Sequence, residues 1–412
     1  MRLPRLARMD FLRAMCCLVA AAFVASAAAQ TTRVVGPAGL PQIRDALALS
    51  QPGDTVLVQS GTYAHFELTV PVTVRAIQPG TVDVAYDPAI AGPGCLNTSL
   101  CAAFQGPTRL LPPAGTTAHL VGLRFVPNTV PAVAGIIVRH RVLVTSGRVV
   151  FDQCELRATG ISSLIVQNAT THLLGCVVEG IGPFDLTHGC VLQSSSMTAV
   201  STSFVGGAAL SAGFQPGVGI VLTQSRLHAS AISSRGGDHA FGGVGGAALS
   251  CDGASQFDVS DSAFIAGLGG SACPLTGLGV ASSRAARSQV GQGPICAVPL
   301  AANVTGVSRP APIVVGLPFS VAATTGPLDP VAYFAALQLG TAVVANVRER
   351  VSLELGSVFL VGVLTADSTG SSVATWNVPS DPQLVGLQLW VQALSGTAPP
   401  FSLSPPVGSI LR

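Results

Sequence analysis

The sequence predicts an all-β chain in which a parallel β-solenoid is followed by a small antiparallel β-sandwich. Three observations predict it. Short apolar runs opened by Gly or Ser recur between residues 135 and 291. Charged residues make up only 10% of the chain, against ~25% in an ordinary soluble domain. After Cys296 the repeat stops, and a Pro-punctuated stretch gives way to alternating strand-like runs.

The first element, residues 1–29, is expected to be a signal peptide. Arg2, Arg5, Arg8 and Arg13 precede the apolar run Ala14 to Ala25, and the small residues that end it place cleavage after Ala29. No later stretch reaches the ~18–20 uninterrupted apolar residues of a membrane-spanning helix. The mature chain is therefore expected outside the cytoplasm, secreted or held at the cell surface or periplasm. Without the leader the chain is near neutral, and it contains no lysine. That argues against a nucleic-acid groove or a basic membrane-binding face.

Eight cysteines remain after the leader, with no C-x-x-C pair, and in an exported chain this favours disulfides over a metal site. No metal or cofactor is expected. Cys95 and Cys101 are close enough to clip a local loop. Cys154 and Cys176, 22 residues apart, are expected on adjacent coils, where stacked Cα atoms at ~4.8 Å fall within bridging range.

The solenoid, assigned to residues 30–295, rests on its repeat. Segments opening at Gly135, Ser163, Gly189, Gly219, Gly246 and Gly277 follow one another at 28, 26, 30, 27 and 31 residues. Gly180, Gly206 and Gly236 close their units. The units that open at Gly189 and Gly219 align without a gap, which matches Leu192 to Leu222 and predicts both in the core. A helical or leucine-rich repeat would need helix-forming segments, and these units offer short β-runs broken by Gly, Ser and Asn. One unit cannot bury its apolar face alone, whereas a stack of them can.

The segment Q-I-R-D-A-L-A-L-S-Q-P-G-D-T-V-L-V-Q-S-G-T-Y, Gln42 to Tyr63, resembles the opening of the right-handed parallel β-helix, or pectate-lyase-like, superfamily. The motifs V-V-F-D-Q-C-E-L from Val149 and V-S-D-S-A-F from Val259 are similar to its coil pattern. The resemblance implies a short amphipathic helix through Ile43, Ala46, Leu47 and Leu49 capping the open end of the solenoid. It also implies a first coil that starts at G-D-T-V and G-T-Y, Gly53 to Val56 and Gly61 to Tyr63.

Residues 296–317 are expected to form a linker and 318–412 the β-sandwich, with strands at Val351 to Leu355, Val358 to Leu364, Ser372 to Val378 and Leu384 to Leu394. This region resembles the C-terminal modules of exported planctomycete-type proteins. Trp376 and Trp390, the two tryptophans, lie in apolar strand runs and are expected in the sandwich core, although exposed aromatics could stack on sugars.

The chemistry is harder to place. Glycosidases on this fold need two or three carboxylates flanking the scissile bond, and lyases need a base with acids holding calcium. The polygalacturonase-like signature is absent apart from His188-Gly189. Without lysine, a lyase base would be Arg, His or Tyr. Asp258 and Asp261, three apart on a strand, should face opposite ways. Asn168 and Ser194 to Ser196 fit coil corners, where side chains satisfy backbone groups. The remaining candidates lie on loops: 181–188, 207–218, 237–245 and 268–276 should leave the coil at one corner as a ridge. Two of these loops pair an acid with a histidine, Asp185 with His188 and Asp238 with His239, and these four are the ligand-binding candidates.

The expected function is therefore an exported, non-catalytic β-helix protein that binds a polysaccharide or a cell-surface partner. A divergent polysaccharide lyase or glycoside hydrolase is the alternative, and a structural surface protein the second.

Overall fold

The computed structural model describes residues 30–87, 107–127, 140–159, 162–182, 186–211, 213–269, 273–276, 283–290, 304–308 and 312–411. The leader, Cys95, Cys101 and Asp185 lie outside these residues. No helix among them is long and apolar enough to cross a membrane.

From Thr32 to Val290 the chain winds as a right-handed parallel β-helix whose strands stack into three parallel sheets of ten, nine and eight strands. One coil contributes one strand to each. Leu164–Gln167 lies in the eight-stranded sheet, Thr170–Leu174 in the ten-stranded and Val177–Ile181 in the nine-stranded. Alternate side chains of each strand point into the tube, and Val166, Leu192 and Leu222 stack there in register. Leu192 is 0% and Leu222 1% exposed. One apolar core runs unbroken from Val35 to Ala285.

The helix Ile43–Ala48 closes the open end. Ile43, Ala46 and Leu47 are buried on the first coil, but Leu49 is the C-cap and stands exposed. In the G-D-T-V motif, Asp54 and Val56 are buried, and Asp54 is the charged one. Its carboxylate accepts from the backbone N–H groups of Thr31 and Gln51, each at 2.9 Å, and ties the incoming strand to the first coil.

Coils turn at corners built from left-handed residues. Gln153, Gly175, Ser201, Ala231, Asp261 and Arg287 form one such row, with φ between 47° and 60°. Asn168, Ser194 and Gln224 form another. A non-glycine residue held there carries strain, which is offset by hydrogen bonds between coils at the next position. In the second row, Ala169 N–H donates to Ser195 Oγ, Ser195 N–H to Ser225 Oγ and Ser225 N–H to Ser255 Oγ.

Cys154 and Cys176 follow the first row of left-handed residues, on adjacent coils as expected, yet they are not joined to each other. Both are buried with reduced thiols, as are Cys190 and Cys251. Side chains at equivalent positions run parallel and do not converge. Cys154 Sγ donates to Leu120 O and Cys176 Sγ to Phe151 O, each at 3.3 Å toward the preceding coil. Thr202 takes the same role one coil later, with Oγ1 donating to Leu173 O.

The C-terminal region forms antiparallel sheets. A three-stranded sheet holds Gly306–Val307, Pro318–Thr324 and Ser371–Asn377, so the stretch expected as a linker contributes an edge strand. A five-stranded sheet is built on Pro330–Ala336, Phe359–Thr365 and Gln388–Ser395. Phe319, Val321, Val331 and Tyr333 are buried between the two sheets, and Tyr333 Oη donates to Ser372 O. Trp376 is half-buried beside Phe319 and Tyr333. Trp390 is buried but departs from expectation, because its ring packs against His119 and His172 of the β-helix. The module thus docks on the outer face of the ten-stranded sheet, where Val150, Leu174 and Val200 join its apolar cluster.

Candidate functional site

The loops expected to form a ridge do leave the coil at one corner, between the nine- and eight-stranded sheets, and they hydrogen-bond to one another. Gly217 N–H donates to Gly207 O, Gly237 to Gly217 O, Gly246 to Gly237 O and Gly267 to Gly246 O, at 2.8 to 2.9 Å. The candidate side chains there serve the loops. Asp238 accepts from Arg235 at 2.7 and 2.8 Å and from Leu268 N–H at 2.7 Å. His239 Nδ1 accepts from the N–H groups of Phe241 and Gly243. His188 Nδ1 accepts from Val218 N–H at 2.9 Å.

A second constellation lies at another corner, under the C-terminal module, and the register of the ten-stranded sheet builds it. Two outward rows run along the stack. One is Thr117, Arg148, Thr170, Ser196, Arg226 and Gln256. The other is His119, Val150, His172, Thr198, His228, Asp258 and Arg284. The module segment 341–352 closes over the later coils and leaves a cleft of about 280 Å³, lined by both rows with Arg348, Glu349 and Arg350. It continues along the corner into a polar groove of about 450 Å³ beside Asn168, Ser194 and Gln224. Thr170, Ser196, Arg226 and Arg350 line both.

The cleft is electrostatically uneven. Arg284 bridges Asp258 of the β-helix and Glu349 of the module. Burial opposes its charge, but the two carboxylates outweigh burial and hold its pKa above the ordinary value. Arg226, Arg348 and Arg350 are exposed, and among the described residues their guanidinium groups form no ion pair. The histidines are held neutral. Burial lowers the pKa of His228 despite Glu349 and Asp258 nearby. That of His172 falls well below the ordinary range through burial and then Arg148 and His119. His172 Nδ1 bonds Thr198 Oγ1, while among the described residues Nε2 of both His172 and His228 lacks a hydrogen-bond partner.

Asp258 and Asp261 do not face opposite ways. The strand ends at Ser260, and the left-handed φ of 52° at Asp261 turns its carboxylate toward the module, where it accepts from Thr324 Oγ1 at 2.7 Å and from Arg287. Period-two alternation holds only inside the strand. The cleft residues were missed because they stand about 30 positions apart. One signal was present: the gap-free alignment that matched Leu192 to Leu222 also matches Thr198 to His228.

No protein-family model matches the sequence, and no match is found among curated proteins. Among solved structures, a pectin methylesterase in complex with a hexasaccharide is similar at 11% identity and a TM-score of 0.41, over 66% of this chain and 93% of that one. The enzymatically active domain of tailspike protein 2 of bacteriophage CBA120 is similar at 9% identity and a TM-score of 0.34, over 93% of this chain and 76% of that one. At these identities the likeness concerns the fold alone. The chain is a right-handed parallel β-helix protein with antiparallel sheets at its C-terminal end.

Proposed function

We propose that this is an exported, non-catalytic β-helix protein that binds a polysaccharide carrying anionic groups in the cleft and groove beside its C-terminal module. The observation that carries the reading is the shared wall of the two cavities. On it Arg226 and Arg350 stand beside Thr170 and Ser196, with Gln224 next along the groove, and among the described residues neither arginine has an ion partner. Hydroxyls and amides repeating at ~4.8 Å suit a chain of sugar hydroxyls, and planar guanidinium groups suit carboxylate or sulfate oxygens. Both carboxylates that line the cleft, Asp258 and Glu349, are engaged by Arg284. They are therefore poorly placed as the pair that glycoside hydrolysis needs.

The test is retention of the mature protein on immobilised uronate-containing, sulfated and neutral glycans, with products assayed in parallel. Retention on the anionic gels, weakened at least tenfold in Arg226→Ala/Arg350→Ala and without new reducing ends or unsaturated products, is the expected result. Turnover would overturn the non-catalytic reading. It would favour a lyase with His228 as the base, because its neutral ring lines the cleft with Nε2 unpartnered. Export is tested by N-terminal sequencing of protein recovered outside the cytoplasm, which should begin at Gln30.

A further inference from the structure

The row that carries His119, His172 and His228 is the face on which the C-terminal module sits, and it is chemically unusual for a buried contact. His119 is 3% and His172 1% exposed. Trp390 of the module covers both, its ring centroid 6.1 Å from His119 and 6.4 Å from His172. The groups facing His119 are Arg148 from the next coil and Gln388 from the module. Those facing His172 are Arg148, His119 and Thr198 from the sheet, with Trp390 above. No carboxylate is among these groups; the buried Asp152 stands one outward position beyond Val150 on the strand between the two histidines. Arg148 is spent on the module backbone, donating to Leu339 O at 2.8 Å. His228 is different, because Asp258, Arg284 and Glu349 surround it and Arg226, Arg348 and Arg350 share its cleft.

We propose that the C-terminal module is an acid-released cover: protonation of His119 and His172 places uncompensated cations beside Arg148 under Trp390, and the module leaves the ten-stranded sheet, opening the cleft while the β-helix stays folded. The sign follows from burial, which disfavours the charged imidazole in the docked state. His119 is held down to about 4 by burial, with Arg148 adding to the effect, against ~6.5 for a free histidine. A base whose docked pKa is depressed binds its proton more readily after release, so docking weakens as pH falls below ~6.5. Each such histidine costs about tenfold in the docking equilibrium per pH unit, and two together about a hundredfold, until the docked pKa is reached. The β-helix has buried histidines of its own, His65 and His140, and burial holds His140 down to about 4 where it packs against Phe125 and bonds Thr108 Oγ1; the module contact sets two such groups beside Arg148 and gives way before the stacked coils do. The inference does not depend on which ligand the cleft holds.

Trp376→Phe leaves Trp390 as the single tryptophan and the direct reporter. In the full mature chain of that variant, acidification from pH 7 to pH 4 should shift Trp390 emission to the red and raise the radius of gyration in small-angle scattering. Both changes should reverse, with the far-UV circular dichroism unchanged. Adding His119→Gln and His172→Gln should move the midpoint down by at least one pH unit. A docked Trp390 at pH 4 in the parent, or the same midpoint with and without the histidines, would overturn the proposal. Should the histidine variant fail to fold, the parent alone decides through NMR titration of labelled imidazoles. Two histidines that protonate near 6.5 while Trp390 remains buried would also overturn it.

Discussion

Two of the solenoid's three outer faces are built on the same backbone and filled with different chemistry. On the nine-stranded sheet, Asp83, Arg124 and Glu155 follow one another in one row, and Arg157 and Glu179 in the next. Signs alternate, N···O distances run from 3.2 to 3.7 Å, and each side chain is about a third exposed. On the ten-stranded sheet the docked row holds His119, Val150, His172, Thr198 and His228 before it reaches Asp258 and Arg284. Water tolerates a ladder of charges, because solvent screens whatever the pairing leaves over. A covered face has no such screen. It is filled mainly with neutral rings and hydroxyls; of its cations, Arg148 is held by the module backbone at Leu339 O and Arg284 is closed off by carboxylates from both sides of the contact. What covers a solenoid face therefore decides which residues its outward positions can hold.

Substitutions should separate the two faces by size of effect. Glu349, with a side chain 1% exposed, is the case of largest expected loss. Glu349→Ala leaves Arg284 short of a partner in the contact and should cost about 3–5 kcal/mol, seen in calorimetry as release of the module before the β-helix melts. A single unchanged transition would remove the distinction between the faces. Leu192→Ala tests the core behind both faces and should lower the β-helix transition by about 2–5 kcal/mol. On the open face, Arg157→Ala should cost under about 1 kcal/mol in urea denaturation at moderate salt. A loss above 2 kcal/mol would mean that the exposed ladder holds the coils together as firmly as the docked one.

The coil architecture was legible because it is written locally. Opening and closing glycines recur within a few residues of one interval, and a gap-free pair of units fixes Leu192 over Leu222. Corner serines were equally readable, since Ser195 does satisfy Ala169 N–H across coils. The thiols were misjudged for a geometric reason. Spacing correctly stacks Cys154 and Cys176, but it says nothing of the side-chain vectors, which run parallel toward the preceding coil's carbonyls. Asp261 was misjudged because alternation was carried past the end of its strand into a left-handed residue. The cleft was illegible for a deeper reason: one side of its wall comes from the module, with Arg348, Glu349 and Arg350 more than 60 residues beyond Arg284, and no repeat announces where that segment lands.

The stacked glycine loops have a consequence for how this chain can change over evolutionary time. Surface loops are ordinarily where insertions and substitutions collect. Here the loops meet backbone to backbone: a methyl group added at Gly236 would fall on Gly246 O, and one at Gly267 on Gly237 O. Even alanine cannot enter without parting the coils. Diversity in this protein must therefore accumulate in exposed stretches between the glycine contacts, such as Phe241 to Val244, or by gain and loss of whole coils, and the most surface-like corner of the solenoid is among its least mutable.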